Sequence, residues 1–437
     1  MSQLTTVDRW ALFRPLAIRD FRLLWVGEGV SLLGNQFYLV ALSWLTLQLT
    51  GSGTALGTVL MTAAVPRAAL MLVGGAMTDR LSPRPLMIVS NMARAALTAI
   101  LTVLIFTDTV ALGYLYALAI LFGTFDAFFY PAFRSIVPWL VNDEQLEPAN
   151  SLLQGTSQLS ILLGPLPAGV LVAAVGVGPA FVINVASFVF ATGMLWLMRT
   201  GGSLNRASEP ADVAVESAAP PSGPTPPPGT ADGSKRRGRL LHDIVEGLRY
   251  AWADPVLRTI LILVAAIDFA AVGPITVGLA ALADARFLGG AAAFGAMMSA
   301  WGGGTFLGSI IAGIIGRPRR RGYWVIAVGA VFGVGLTALS WAPLLVLAVV
   351  VIGLMGIGGG LINVMMFSWL QGRTESRLIG RVMSLVMFAS QGLAPFSYLL
   401  AGVLVDVSLP WMYVGAGTVM LAATLYATSQ QTIRSID

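Results

Sequence analysis

Five ionisable side chains interrupt apolar runs in this chain: Glu28, Arg67, Arg94, Asp126 and Asp268. A charge held in hydrocarbon is costly, and residues of this kind mark a pathway or a pairing site. Two chemistries suit them. An Arg–carboxylate pair keeps two charges together where water is scarce, and a carboxyl group that gains and loses a proton can couple transport to a proton gradient. At about 1.5 Å of helical rise per residue, Arg67 lies roughly 18 Å from Asp79, and Asp126 about 12 Å from Arg134. Arg67 and Asp126 are therefore expected to meet at one depth, as a permanent pair or as a switch whose acid takes a proton when the pair opens. Arg94 is expected to be a structural or inner-end residue. Glu28 and Asn35, seven residues apart, share one helix face. Asp268 has no basic residue near it in sequence. Asp126, Asp268 and Glu28, with Arg67 as partner, are the proton-coupling candidates.

Most other chemistry is excluded by residue type. The chain has no Cys, one His (His242) and one Lys (Lys235, in Gly-Ser-Lys-Arg-Arg). Thiolate metal sites, cysteine nucleophiles, a Ser-His-Asp triad and a Walker phosphate loop cannot be built. The expectation is a protein that is not an enzyme, with no metal and no cofactor, drawing on a proton gradient. A membrane enzyme would need a catalytic cluster at the interface. A non-transporting scaffold would need no deep charges.

The elements that carry these residues follow from composition. Of 437 residues 56% are apolar and 11% charged, against about 25% charged in a soluble domain. A bilayer crossing takes roughly 20 mostly apolar residues. Twelve such runs occur, at 21–48, 54–78, 86–106, 111–135, 149–174, 179–198, 256–282, 291–316, 322–341, 344–370, 379–405 and 410–429. The predicted fold class is an all-α membrane protein of twelve transmembrane helices. Of the 26 basic residues, 23 fall on one side, Arg286 alone on the other, and Arg67 and Arg94 within spans. The positive-inside rule places that side, and both termini, in the cytoplasm of a cell's inner (plasma) membrane. It also explains a pI near 9.8 without nucleic acid as a partner.

The spans divide six and six. Residues 1–20 form a cytoplasmic N-terminal segment, 21–198 a first six-helix bundle, 199–255 a cytoplasmic linker, 256–429 a second bundle and 430–437 a tail. The linker is Pro-rich at 205–233, carries the basic cluster Lys235, Arg236, Arg237 and Arg239, and ends in an amphipathic helix at 240–253. The halves repeat one another. Asp143-Glu144-Gln145-Leu146 parallels Glu375-Ser376-Arg377-Leu378. Each is followed by a mid-helix proline, Gly164-Pro165 and Ala394-Pro395, and then by Ala-Gly-Val-Leu-Val at 168–172 and 401–405. Such repetition fits two pseudo-symmetric bundles moving about a midplane site, with the two prolines as hinge or packing points.

The loop Gly75-Ala-Met-Thr-Asp79-Arg80-Leu-Ser82-Pro-Arg84 resembles the signature of the major facilitator superfamily, with Ser82 where Gly is usual. The 8–9 loop holds a remnant, Gly316-Arg-Pro-Arg-Arg-Arg, without the acid. Four further segments resemble the branch containing macrolide and multidrug exporters and the enterobactin exporter. They are Phe21-Arg-Leu-Leu-Trp with Ser31-Leu-Leu-Gly-Asn35, Pro131-Ala-Phe-Arg-Ser-Ile-Val-Pro138, Glu246-Gly-Leu-Arg-Tyr-Ala-Trp252 and Gly380-Arg-Val-Met-Ser384. In that branch the position of Asn35 is often an acid.

The resemblance implies a secondary active transporter that exports a small, largely apolar compound, a drug-like molecule or a siderophore. It implies proton antiport by alternating access, in a protein acting as a monomer in the lipid bilayer. A uniporter or an ion-coupled importer is the alternative within the fold. Spans 1, 4, 7 and 10 would line the cavity, placing Glu28, Asp126 and Asp268 on three of its walls. Asn35, Phe125, Phe128, Phe129, Asn363, Met366 and Phe367 are the substrate-cavity candidates, with Tyr130 and Met365 beside them. Asp79 would latch onto the positive N-terminal end of span 11, with Arg80 and Arg84 holding the acid or binding lipid headgroups.

Overall fold

A backbone surrounded by apolar side chains must satisfy its own N–H and C=O groups, and helices do so within one segment. Helices make up nearly all of the protein's computed structural model, which describes residues 11–78, 81–199, 255–316, 321–373 and 392–429; no strand occurs among them. A 3-10 turn at Ala11–Ala17 leads into α1 (Arg19–Thr50), α2 (Gly53–Thr78), α3 (Pro83–Phe106), α4 (Leu112–Leu140), α5 (Asp143–Leu163), α6 (Pro165–Val175) and α7 (Val177–Leu197). The second half comprises α8 (Pro255–Gly273), a π-helical turn at Pro274–Gly278, α9 (Leu279–Arg286), α10 (Ala291–Ile315), α11 (Arg321–Leu339), α12 (Leu345–Arg373) and α13 (Ala394–Ser429). The linker helix at 240–253, its basic cluster and the 430–437 tail lie outside the described residues.

Among the described residues eleven helical stretches are long and apolar enough to cross a membrane, counting α5 with α6 as one and α8 with the π-helical turn and α9 as one. The last, α13, contains Ser408 in an extended conformation (φ −170°, ψ 111°) and then Pro410. Those two residues divide it into the end of span 11 and the whole of span 12. At the first turn, Gly51 adopts a left-handed conformation (φ 61°) and its N–H caps the Leu47 carbonyl at 2.7 Å. That reversal lets α2 start two residues later.

The core is distributed unevenly. At the end with few arginines, one apolar core joins both halves, from Leu45, Leu56 and Val172 to Leu279, Ala291, Met298 and Ile352. Toward the arginine-rich end it divides. Phe21, Leu24, Met87, Ile136 and Leu153 pack within the first half, and Ala312, Leu361 and Met365 within the second. Among the described residues the two bundles are thus joined at the arginine-poor end and cored separately at the other.

Helices in lipid associate through close backbone approach rather than through release of water, so small residues mark the contacts. A Cβ on Gly356 would lie 2.6 Å from the Trp301 carbonyl, and one on Gly360 would strike that of Thr305. The glycines of spans 8 and 10 therefore pack α10 on α12. Between halves, Gly295 abuts the Pro165 carbonyl where α10 crosses α6, and Gly402 abuts the Gly53 carbonyl where α13 crosses α2.

Candidate functional site

The charged cluster is built by α1, α2, α3 and α4. Asp126 on α4 accepts a hydrogen bond from Arg94 Nη1 at 2.8 Å, and its other oxygen lies 3.7 Å from Arg67 Nη1. Arg94 is buried, with 2% of its side chain exposed, whereas Arg67 is 45% exposed. Sequence spacing predicted the Arg67–Asp126 pair and assigned Arg94 to a structural or inner-end role. The structure brings Arg67 and Asp126 together as expected, and adds what spacing did not give: the buried Arg94 makes the shorter contact to the same acid.

Arg94 is accommodated in the bundle by two kinds of partner. Its Nη2 donates to Asn91 Oδ1 at 2.5 Å. The guanidinium carbon lies 4.3 Å from the Phe129 ring centre, 4.6 Å from Phe188 and 5.9 Å from Phe122. Aromatic faces attract a cation most strongly when it is shielded from water. The Arg94 Nε is buried without a hydrogen-bond partner, so the carboxylate carries much of the compensation.

Glu28 on α1 is 9% exposed and borders a narrow crevice with Met87, Asn91 and Leu195. It lies within electrostatic reach of Arg94 and Asp126, with Asn91 beside it and bonded to Arg94. Two acids and two arginines thus form a formally neutral group. Adding a proton to either acid leaves an excess positive charge, a disturbance that helix movement or a bound ligand can relieve.

Arg67 faces the other half. The Tyr398 hydroxyl of α13, hydrogen-bonded to Thr276 in the π-helical turn, is within its electrostatic reach. Asp268, half-buried on α8, is engaged by a partner of its own. Next to it the backbone is interrupted: Ser397 Oγ donates to the Phe269 carbonyl at 2.6 Å and accepts from the Gly273 N–H at 2.8 Å. A serine from α13 therefore replaces one helical rung of α8, just before Pro274. Insertions of this kind bend helices.

The other predicted residues are dispersed. Asn35, Phe125 and Phe128 are half-buried, as are Met366 and Phe367, while Asn363 is exposed. Phe129 is not a cavity residue: it is buried beneath Arg94 and stacked on Phe133 at 6.1 Å. Gly164-Pro165 interrupts span 5, and the freed Leu166 N–H donates to Ser299 Oγ of α10 at 2.9 Å. Ala394 and Pro395 are buried at the start of α13. In the signature loop Gly75 is half-buried, and Asp79 and Arg80 lie outside the described residues, as does the start of span 11. Arg84 donates to the Leu195 and Trp196 carbonyls at 2.8 and 2.9 Å, capping the end of α7.

Sequence reading underrated Arg94 although a signal was present. Asn91, Arg94, Thr98 and Thr102 recur at helical spacing on α3, and all four are buried. A polar stripe on one face of an apolar helix indicates an inward face. Among the described residues no three His, Cys, Asp or Glu side chains could hold a metal ion.

Comparison with known proteins adds to this geometry. A family model described as Major Facilitator Superfamily matches residues 24–398. The multidrug efflux pump Tap of Mycolicibacterium fortuitum is 25% identical over 424 residues, 93% of this chain and 95% of that protein. Macrolide efflux protein A of Streptococcus pyogenes is 20% identical over 420 residues, 95% and 97% of the two chains. The crystal structure of the nucleoside transporter NupG superposes with a TM-score of 0.71 at 11% identity, covering 94% of this chain and 98% of that one. A bacterial homologue of the iron transporter ferroportin, in an inward-facing state, gives 0.67 at 14% identity, covering 94% and 99%. At such identities these structures speak for the fold alone.

Proposed function

The chain belongs to the major facilitator superfamily, and from that premise we propose that it exports small, largely apolar molecules in exchange for protons, its two bundles alternating about the Arg67–Arg94–Asp126 cluster. It is a multi-pass membrane transporter and not an enzyme. Export is supported by the two efflux proteins that it resembles along nearly its whole length.

One observation carries the proton-coupled reading: Asp126 is shared between a buried arginine of its own bundle and an exposed arginine that faces the other half. With Asp126 ionised, Arg94 is compensated. With Asp126 protonated, both arginines lose their counter-charge, and the energy of the arrangement changes by several kcal/mol in a low-dielectric site. A proton at this position therefore changes the relative stability of two bundle arrangements. Linkage then requires that a ligand which prefers one arrangement alters the affinity for the proton.

The arginine distribution supports an orientation with the joined end of the bundles outside the cell. The arrangement seen is then closed outward, and the separately cored ends face the cytoplasm. In this cycle substrate enters from the cytoplasm or inner leaflet, the bundles reverse, and a proton from outside neutralises Asp126 as substrate leaves. Half-buried aromatic and methionine side chains at Phe125, Phe128, Met366 and Phe367 supply adaptable apolar contact for such a compound.

The test is efflux from proteoliposomes loaded with erythromycin or ethidium. An imposed pH gradient should accelerate efflux by the full-length protein. Efflux that ignores the gradient would remove proton antiport from the account.

A further inference from the structure

The joined end contains an acid to which the transport cycle above gives no role. Asp406 lies on α13 two residues before the break at Ser408. Its carboxylate reaches across to the first half. Oδ2 accepts from Ser52 Oγ at 2.6 Å and from the Thr54 N–H at 3.0 Å, and Oδ1 accepts from the Gly53 N–H at 2.5 Å. Ser52 is itself the local cap of α2, accepting from the Ala55 N–H at 3.2 Å. The free N–H groups at the start of a helix carry partial positive charge. An ionised carboxylate placed on them makes charge-assisted bonds, stronger than neutral ones.

We infer that Asp406 is the outer latch of the transporter, a positioning residue that holds the arginine-poor mouth closed by capping α2 from the opposite bundle. Three features support this. All three bonds cross from one half to the other, so parting the halves here breaks them together. The helices beneath the carboxylate are in close contact: a Cβ on Gly53 would lie 2.6 Å from the Val405 side chain and 2.9 Å from the Gly402 carbonyl, and one on Gly57 would strike the Tyr398 carbonyl. The cap therefore sits on a seam where glycines of α2 admit α13 closely, Gly53 making room for the Val405 side chain. Finally, among the hydrogen bonds described between the halves, Leu166 N–H to Ser299 Oγ is a neutral bond, whereas those to Asp406 are made to a carboxylate.

The inference rests on the alternating-access reading, and its test is arranged so that the two can fail separately. The chain contains no cysteine, so two can be introduced in the full-length protein for spin labels, Asp108→Cys in the 3–4 turn and Trp341→Cys in the 9–10 turn. Both positions are exposed and belong to opposite halves. Distance distributions in lipid nanodiscs, without substrate, should show a dominant short separation with a minor long one. Asp406→Ala should raise the long-separation population roughly tenfold. Asp406→Asn, which keeps one acceptor, should raise it less, and Ser52→Ala, which leaves both backbone bonds in place, least. If the alanine variant does not fold, the other two carry the comparison. A distribution in the parent protein that stays single when pH is stepped and ethidium is added overturns alternation, and the latch with it. A second population that appears in the parent but grows in no variant overturns the latch alone.

Discussion

Replacing Asp126 by Asn gives the most direct reading of the buried pair. The substitution preserves shape and one acceptor while removing the charge that compensates Arg94. That arginine is 2% exposed and its Nε has no partner. Removing one member of a buried ion pair costs about 3–5 kcal/mol, because the remaining charge is stranded. Asp126 is itself 24% exposed, and the Phe129 and Phe188 faces retain about 0.5–2 kcal/mol of attraction for the cation. The lower part of the range, about 3 kcal/mol, is therefore expected. The Arg67 contact, at 3.7 Å and 45% exposed, adds no more than about 1 kcal/mol. Thermal unfolding of the purified protein, followed by intrinsic tryptophan fluorescence, should show a midpoint several degrees below the parent. Asp126→Asn combined with Arg94→Gln removes both charges and should recover a substantial part of that loss, since the pair is coupled. An Asp126→Asn protein as stable as the parent, or a double variant showing strictly additive losses, would refute the assignment of Arg94 as the stranded partner.

Three other substitutions separate roles. Arg67→Ala should change stability by less than about 1 kcal/mol, as expected for an exposed partner, yet slow ethidium efflux from loaded vesicles; unchanged efflux would remove Arg67 from the cycle. Ser397→Ala takes away the hydroxyl that bridges the Phe269 carbonyl and Gly273 N–H, leaving buried backbone groups unpaired at a cost of about 1–3 kcal/mol, measurable in the same unfolding assay. Arg84→Ala uncaps the Leu195 and Trp196 carbonyls and should cost about 1–2 kcal/mol, with Arg84→Lys restoring only part because a single ammonium does not reproduce the two-nitrogen contact.

Much of this was legible in the sequence because membranes impose coarse, additive rules. Span number, the repeat around Gly164-Pro165 and Ala394-Pro395, and the shared depth of Arg67 and Asp126 follow from length and rise along a helix. What spacing along one helix does not contain is its rotation relative to its neighbours. Arg67, Arg94 and Asp126 reach similar depths, so depth alone could not choose between two arginines for one acid; the choice depends on α3 turning its Asn91–Arg94–Thr98 face inward. Asp406 was invisible for a related reason. Its role exists only because α13 meets the start of α2, more than three hundred residues away. Arg84 shows the same limit, since nothing in the spacing of a basic loop residue points to the carbonyls at the end of α7 that it caps. Phe129, one of several aromatics in span 4, could be distinguished from cavity residues only by the guanidinium stacked on it.

The central claim is that substrate and proton exclude one another at Asp126, and proton release on ligand addition measures it directly. In weakly buffered detergent solution, over a series of pH values extending into the acid range where Asp126 holds a proton, adding ethidium or erythromycin to the parent protein should release protons in proportion to ligand bound. Asp126→Asn should bind ligand and release none. Ligand binding to the parent without proton release, or equal release from the Asp126→Asn variant, would contradict the account.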